Sequence, residues 1–144
     1  MLRRDAKVDL LRGVPLFSDL SKTELAKIAA IAEEWEVAQG ETLMWEGLLA
    51  SDFVILVEGS LLVTRKGRRV NQLGPGDFLG EIALLTGGRR SATVSAEVHV
   101  RALRVRERDF HQLLKTTPSV TVKVLKALAQ RLPSHDDFGT PLSD

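Results

Sequence analysis

Apolar positions recur at helical spacing near both ends of this chain and in short, strand-like runs between them. Val8, Leu10 and Leu11 form a brief apolar set that ends at Gly13, and Pro15 then turns the chain. Ser21-Lys22-Thr23-Glu24 is an S-x-x-E capping box, in which the serine oxygen accepts a backbone N–H and the glutamate reaches back. Leu25, Ile28, Ala29 and Ala32 follow at i, i+3, i+4 and i+7, which predicts a helix over Ser21–Glu34. From Trp35 the texture changes. Runs of Val, Leu, Ile and Thr alternate with Gly40, Gly47, Gly59, Gly67, Gly74 and Gly76, as in an antiparallel barrel or sandwich. The unbroken apolar run Phe53-Val54-Ile55-Leu56-Val57 predicts a strand buried on both faces. Ser60 to Arg65 continues as a strand, Arg65-Lys66-Gly67-Arg68-Arg69 reads as a charged hairpin tip that discourages edge aggregation, and Gly74-Pro75-Gly76-Asp77 reads as a turn. Strands resume at Ala92–Ala96 and Val98–Val105.

Helical spacing returns with Phe110, Leu113 and Leu114. Thr117-Pro118 then places an N-cap before a proline at the first helical position. Val124, Leu125, Leu128 and Leu132 form the apolar face of a last helix that Pro133 stops, and the tail beyond it is polar. The predicted order is helix, about eight strands, helix, helix. Trp35 and Trp45 are expected at the junction of helix and barrel.

Composition narrows the chemistry. The 144 residues fit one domain, and 44% hydrophobic with 27% charged residues is ordinary for a globular protein. A net charge of +1 lacks the basic excess that gripping nucleic acid needs, so no DNA binding by this chain is expected. With no cysteine, the chain forms no disulfide, thiolate metal site, iron–sulfur cluster or cysteine nucleophile. His99, His111 and His135 stand apart on separate elements, which disfavours a metal enzyme of the barrel type. No phosphate-loop or nucleophile-elbow motif occurs. No apolar run approaches the roughly 20 residues of a membrane span and no secretory signal opens the chain. The expectation is a cytoplasmic protein with no membrane partner.

One stretch departs from the strand pattern: Phe78-Leu79-Gly80-Glu81-Ile82-Ala83-Leu84-Leu85-Thr86-Gly87-Gly88-Arg89-Arg90-Ser91-Ala92-Thr93-Val94. Gly80 permits a sharp bend, and residues 81–85 suffice for about one helical turn, whose start presents N–H groups to an anion. Gly87-Gly88 reverses the chain, so that Arg89 or Arg90 returns towards that helix start, with Ser91 adding a hydroxyl. Ala83 and Ala92 are small and leave room for a ligand close to the backbone. Glu81 supplies an acceptor for hydroxyls. A molecule that is at once a sugar and a single phosphate matches this set.

The segment G-E-I-A-L-L-x-G-G-R-R-S-A-T-V resembles the phosphate-binding cassette of the cyclic nucleotide-binding domain family, which includes the catabolite activator protein, the regulatory domains of cAMP- and cGMP-dependent kinases, and cyclic-nucleotide-gated channels. The likeness extends to Val14-Pro15-Leu16-Phe17, to Gly59 and Gly76, and to the order of elements. It implies an α+β fold: an eight-stranded antiparallel β-roll, jelly-roll-like, with N-terminal helices and two C-terminal helices. The domain would span 1–132, with helices in 1–34, the roll in 35–105 and C-terminal helices in 106–132, before a polar tail at 133–144. The resemblance assigns Glu81 to the ribose 2′-hydroxyl and Arg90 to the cyclic phosphate. Gly80, Ile82, Ala83 and Ala92 would make backbone and small-residue contacts, and Ser91 would bond the phosphate or a guanine amino group. Val63 and Leu73 would flank the purine, and Arg131 falls where some channels place an arginine over the base. The plain alternatives are a helix-start acid for Glu81, solvated cations for Arg89, Arg90 and Arg131, and an exposed strand-end hydroxyl for Ser91. Leu79 departs from the family's frequent aromatic.

The implied function is a cyclic nucleotide sensor without enzymatic activity or cofactor, binding cAMP in preference to cGMP and moving its C-terminal helix to signal to a protein effector, with a homodimer as a further expectation. A ligand-free interaction domain on the same fold, or the sensor part of a larger transcription factor, kinase regulator or channel, are the alternatives. The helix-turn-helix of the family's transcription factors would need several tens of residues beyond the last helix.

Overall fold

The computed structural model describes residues 2–49, 52–81, 83–86 and 88–130. The expectations placed on Ile82, Arg131, Leu132, His135 and the 133–144 tail lie outside them. Helix α1 (Arg4–Arg12), a 3-10 turn (Pro15–Phe17) and α2 (Lys22–Ile31) precede the strands. These are β1 (Ala32–Val37), β2 (Thr42–Met44), β3 (Asp52–Glu58), β4 (Leu61–Arg65), β5 (Arg68–Leu73), β6 (Phe78–Leu79), β7 (Thr93–Ala96) and β8 (Val100–Arg106). The short helix α3 (Ala83–Thr86) sits between β6 and β7, and α4 (Glu107–Thr116) and α5 (Pro118–Gln130) close the described chain.

Two antiparallel sheets, ordered β1-β8-β3-β6 and β2-β7-β4-β5, build the roll. Strand β3 explains the arrangement. Its Phe53 and Ile55 join the core beneath the helices, whereas Val54 and Leu56 join the core between the sheets. Side chains alternate across a strand, so a strand packed on both faces must be apolar throughout. Strand β8 repeats this, with Leu103 and Val105 under the helices and Val100 and Ala102 between the sheets. Phe17 sits at the helical centre, its ring 5.9 Å from Phe53 and 5.8 Å from Phe110.

The capping box forms as expected: Ser21 Oγ accepts from Glu24 N at 3.2 Å, and Glu24 Oε1 accepts from Ser21 N at 2.8 Å. The helix behind it stops at Ile31 rather than Glu34. Ala32–Val37 instead pairs rung by rung with Val105–Val100, and Glu33 faces Arg104 across the ladder with an ion pair at 3.3 Å. Six ladder residues and cross-strand charge pairs outweigh one more helical turn. Trp45 is also placed differently from the expectation. Met44 points into the core, so its neighbour points out, and Trp45 is 57% exposed. Trp35 lies on β1 with the Arg104 guanidinium 4.6 Å from its ring.

Candidate functional site

Strand β6 leads into Gly80, whose φ of +76° is the left-handed conformation that glycine tolerates best. The bend brings Glu81 inward, where it is 5% exposed, and α3 follows at once. Beyond α3 the chain returns and is clamped onto the loop between β2 and β3. Arg90 N donates to Leu48 O at 2.8 Å, and Gly47 N donates to Arg90 O at 2.9 Å. Arg89 Nη1 donates to Gly47 O at 2.8 Å. This two-way main-chain clamp fixes where the two arginines leave the backbone, and it sends them to different places: Arg89 stays exposed while Arg90 turns in.

The Arg90 guanidinium lies directly over Gly80, so that a Cβ built on Gly80 would collide with Arg90 Nη1 and come within 3.0 Å of the Asp52 carbonyl. Nη2 donates to that same Asp52 main-chain oxygen. Burial lowers the pKa of Arg90 below its usual value, and the Asp52 charge opposes the shift. Arginine remains cationic regardless. A half-buried cation is thus held by a neutral carbonyl, next to a bent backbone and a buried glutamate, an arrangement suited to receiving an anion. Arg90 also lines a cavity of about 120 Å³ together with Trp45, Leu48, Leu49, Asp52 and Val54.

The other predicted positions fall as follows. Ala92 is half-buried. Ser91 is exposed, and its carbonyl accepts from Arg65 Nε at 3.0 Å. Val63 and Leu73 are half-buried against the core between the sheets. Leu73 pairs with Leu61, two residues before Val63 on the same strand, so Val63 and Leu73 are diagonal neighbours on one face of the β4–β5 hairpin. The structure therefore brings Gly80 and Arg90 into contact, and places Val63 and Leu73 together on the other sheet, outside the lining of the Arg90 cavity. Asp52, Gly47 and Leu48 are additions that the sequence did not single out. They act through main-chain atoms, which leave no mark on residue type. His111 is a fourth: from α4 its Nε2 donates to Leu84 O, meeting a carbonyl of the cassette helix. Among the described residues no group of three or more His, Cys, Asp or Glu is placed to hold a metal.

The family model "Cyclic nucleotide-binding domain" matches residues 34–117, more than half of the chain, and the chain belongs to that family. A cAMP-dependent protein kinase regulatory subunit of Mycosarcoma maydis is 39% identical over 121 residues, covering 78% of this chain and 23% of that protein. A cyclic nucleotide-gated potassium channel of Rhizobium etli is 33% identical over 122 residues, covering 85% of this chain and 34% of the channel. The chain thus spans about a quarter to a third of these relatives. In three dimensions it is similar to the N-terminal domain of a transcriptional regulator from Streptomyces coelicolor A3(2), with a TM-score of 0.81 and 31% identity over 94% of this chain and 99% of that one. The mixed helical and antiparallel architecture agrees with the fold expected from the sequence.

Proposed function

We propose that this domain is a sensor that binds a cyclic nucleotide without altering it, and passes the binding event to a protein effector through α5. The observation that carries the proposal is the cationic Arg90 side chain, half-buried over Gly80 and held by a carbonyl rather than by a carboxylate hydrogen bond. A guanidinium has five N–H donors. Turning from Asp52 O, or adding a second bond from another of its donors, lets it pair with the cyclic phosphate by charge-assisted hydrogen bonds. Glu81, buried one residue beyond the bend, takes the ribose 2′-hydroxyl. The backbone at Gly80 and the small Ala83 and Ala92 allow close approach, Val63 and Leu73 flank the purine, and Ile82, Ser91 and Arg131 complete the set. cAMP is proposed ahead of cGMP, since the relative at 39% identity is a cAMP-dependent regulator. The effector, a homodimer and a cytoplasmic site of action belong to the same proposal.

The moving part is α5, with Thr116–Pro118 as the hinge. In this structure α5 is docked: Val120, Val124 and Ala127 are buried in the helical core, and Thr121 Oγ1 donates to Leu114 O at 2.6 Å. Nucleotide binding shifts the population between this arrangement and one in which α5 covers the base. Titration calorimetry with cAMP and with cGMP tests the site. Arg90→Ala is expected to weaken binding by about 2–5 kcal/mol, as for one member of a buried charged pair. Equal affinity in the parent and Arg90→Ala proteins would remove Arg90 from the site.

A further inference from the structure

Large apolar side chains that remain exposed signal a contact surface when they gather in one place. Trp45, Leu48 and Leu49 are 57%, 57% and 67% exposed and share the single loop between β2 and β3. Beside this loop stands the β4–β5 hairpin tip, whose Arg65, Lys66, Arg68 and Arg69 are all exposed. A hydrogen bond joins the two. Lys66 N donates to Glu46 Oε1 at 2.9 Å, and from the cassette end Arg89 Nη1 adds a bond to Gly47 O of the same loop at 2.8 Å. Arg65 Nε in turn holds Ser91 O, immediately after the arginines of the cassette. The whole chain carries a net charge of only +1, so this concentration of cations is local. Of the two carboxylates bonded to it, Glu46 is occupied by the hairpin backbone, and Glu97 pairs with Arg69 at 3.5 Å.

We infer that this face docks on the surface of an anionic phospholipid bilayer. Trp45, Leu48 and Leu49 enter the headgroup region, and Arg65, Lys66, Arg68 and Arg89 meet lipid phosphates around them. Tryptophan favours the boundary between hydrocarbon and water. Long basic side chains lay their alkyl stems along apolar surface while the charge stays at phosphate level. Either signal alone attaches a protein weakly, and the two together attach it stably. The loop's exposed side chains suit a fluid surface better than strand or groove pairing, because its main chain already exchanges hydrogen bonds with Arg90 in both directions. The inference departs from the expectation of no membrane partner, which rests on the lack of a spanning run and of a secretory signal. No described helix is long and apolar enough to cross a bilayer, and a surface contact needs none.

The test is co-sedimentation of the full chain with phosphatidylcholine vesicles and with vesicles containing phosphatidylserine. Binding is expected on the anionic vesicles alone, and is expected to fall as salt rises, since the Debye length shrinks from about 10 Å at 0.1 M to about 3 Å at 1 M. Arg68→Gln, in an exposed strand, is expected to lower partitioning roughly fivefold, the factor for one cation near such a surface. The fluorescence readout is specific to the loop, because Trp45 is the exposed member of a pair of tryptophans in the chain. Its emission is expected to shift to the blue on anionic vesicles and to be quenched by nitroxide-labelled lipid. Both effects are expected to vanish in Trp45→Phe, and binding is expected to drop in the exposed double variant Leu48→Glu/Leu49→Glu. Failure to sediment with anionic vesicles, equal binding to neutral ones, or undiminished binding of the Leu48→Glu/Leu49→Glu protein would each overturn the inference. Binding of cAMP by Arg68→Gln, whose exposed side chain lies outside the Arg90 cavity and which is expected to retain it, separates this result from the proposed nucleotide site.

Discussion

Gly80→Ala separates the role of the cassette bend from its contribution to stability. At a φ of +76°, an alanine pays the left-handed penalty of roughly 1–2 kcal/mol. The stiffer unfolded chain returns about 0.4–1 kcal/mol of that. The new Cβ also collides with Arg90 Nη1, the far end of a flexible side chain, and lies 3.0 Å from the Asp52 carbonyl, which is backbone. Arg90 has to leave, and its charged hydrogen bond to Asp52 O, worth about 1.5–3 kcal/mol, goes with it. The net expectation is a loss of about 2–4 kcal/mol in stability by urea titration, together with weaker cAMP binding by calorimetry. Gly59→Ala is the control. There φ is +100° and the added Cβ lies 2.8 Å from His99 O and 3.0 Å from Val100 Cγ2, so the obstruction is largely backbone. Its loss of stability is expected to equal or exceed that of Gly80→Ala, while nucleotide affinity in the folded protein stays unchanged. If Gly80→Ala proves as stable as the parent, the collision reasoning is wrong. If it loses stability but binds cAMP with parental affinity, the placement of Arg90 over Gly80 has no part in recognition.

Two further outcomes follow from polar contacts around the C-terminal helices. Glu24 is held down at about 2 from the usual 4.5, chiefly by the Lys123 ammonium, then by Ser21 N–H, against the opposing effect of burial. A depressed carboxyl pKa contributes stability that is fully present above about 4.5 and is lost as pH falls towards 2, so Lys123→Met is expected to shrink the acid-side decline between those values in urea titrations across pH. His111→Leu leaves Leu84 O without its α4 donor and is expected to cost about 1–3 kcal/mol in the same assay, whereas His111→Gln, which keeps a donor, recovers part of it.

Local patterns carried much of the fold. The Ser21–Glu24 box caps α2 because its geometry is fixed within four residues, and the apolar run at Phe53–Leu56 is two-faced because two cores demand it. The end of α2 was not legible in this way. Ala32 continues the helical spacing, yet its partner Val105 lies far along the chain and the ladder takes precedence. At the site, the bend at Gly80 was visible in residue types, whereas those types left Arg89 and Arg90 open and the family resemblance alone pointed to Arg90. The acceptor beneath Arg90 was not visible: it is the main chain of Asp52, 38 residues away, where any amino acid would present the same carbonyl. For the same reason the clamp through Gly47 and Leu48 left no sequence signal, and neither did the meeting of His111 with Leu84 O across 27 residues.

These contacts form a connected route from the cassette to the N-terminal helices. His111 ties the cassette helix to α4, and Thr121 Oγ1 ties α5 back to Leu114 on α4. Lys123 on α5 then bonds Glu24 Oε1 at 2.6 Å, the same oxygen that accepts from Ser21 N in the cap of α2. One carboxylate thus holds both the start of an N-terminal helix and the docked position of the C-terminal one. In the proposed switch α5 cannot swing over the base with α2 unaffected: either the ion pair breaks, or α2 is drawn along with its cap. Breaking it leaves Glu24, 7% exposed, without its cation and raises its pKa, a cost that nucleotide contacts must exceed. In that proposal the docked state is favoured until a ligand engages Arg90, as a sensor that stays off without its nucleotide would require.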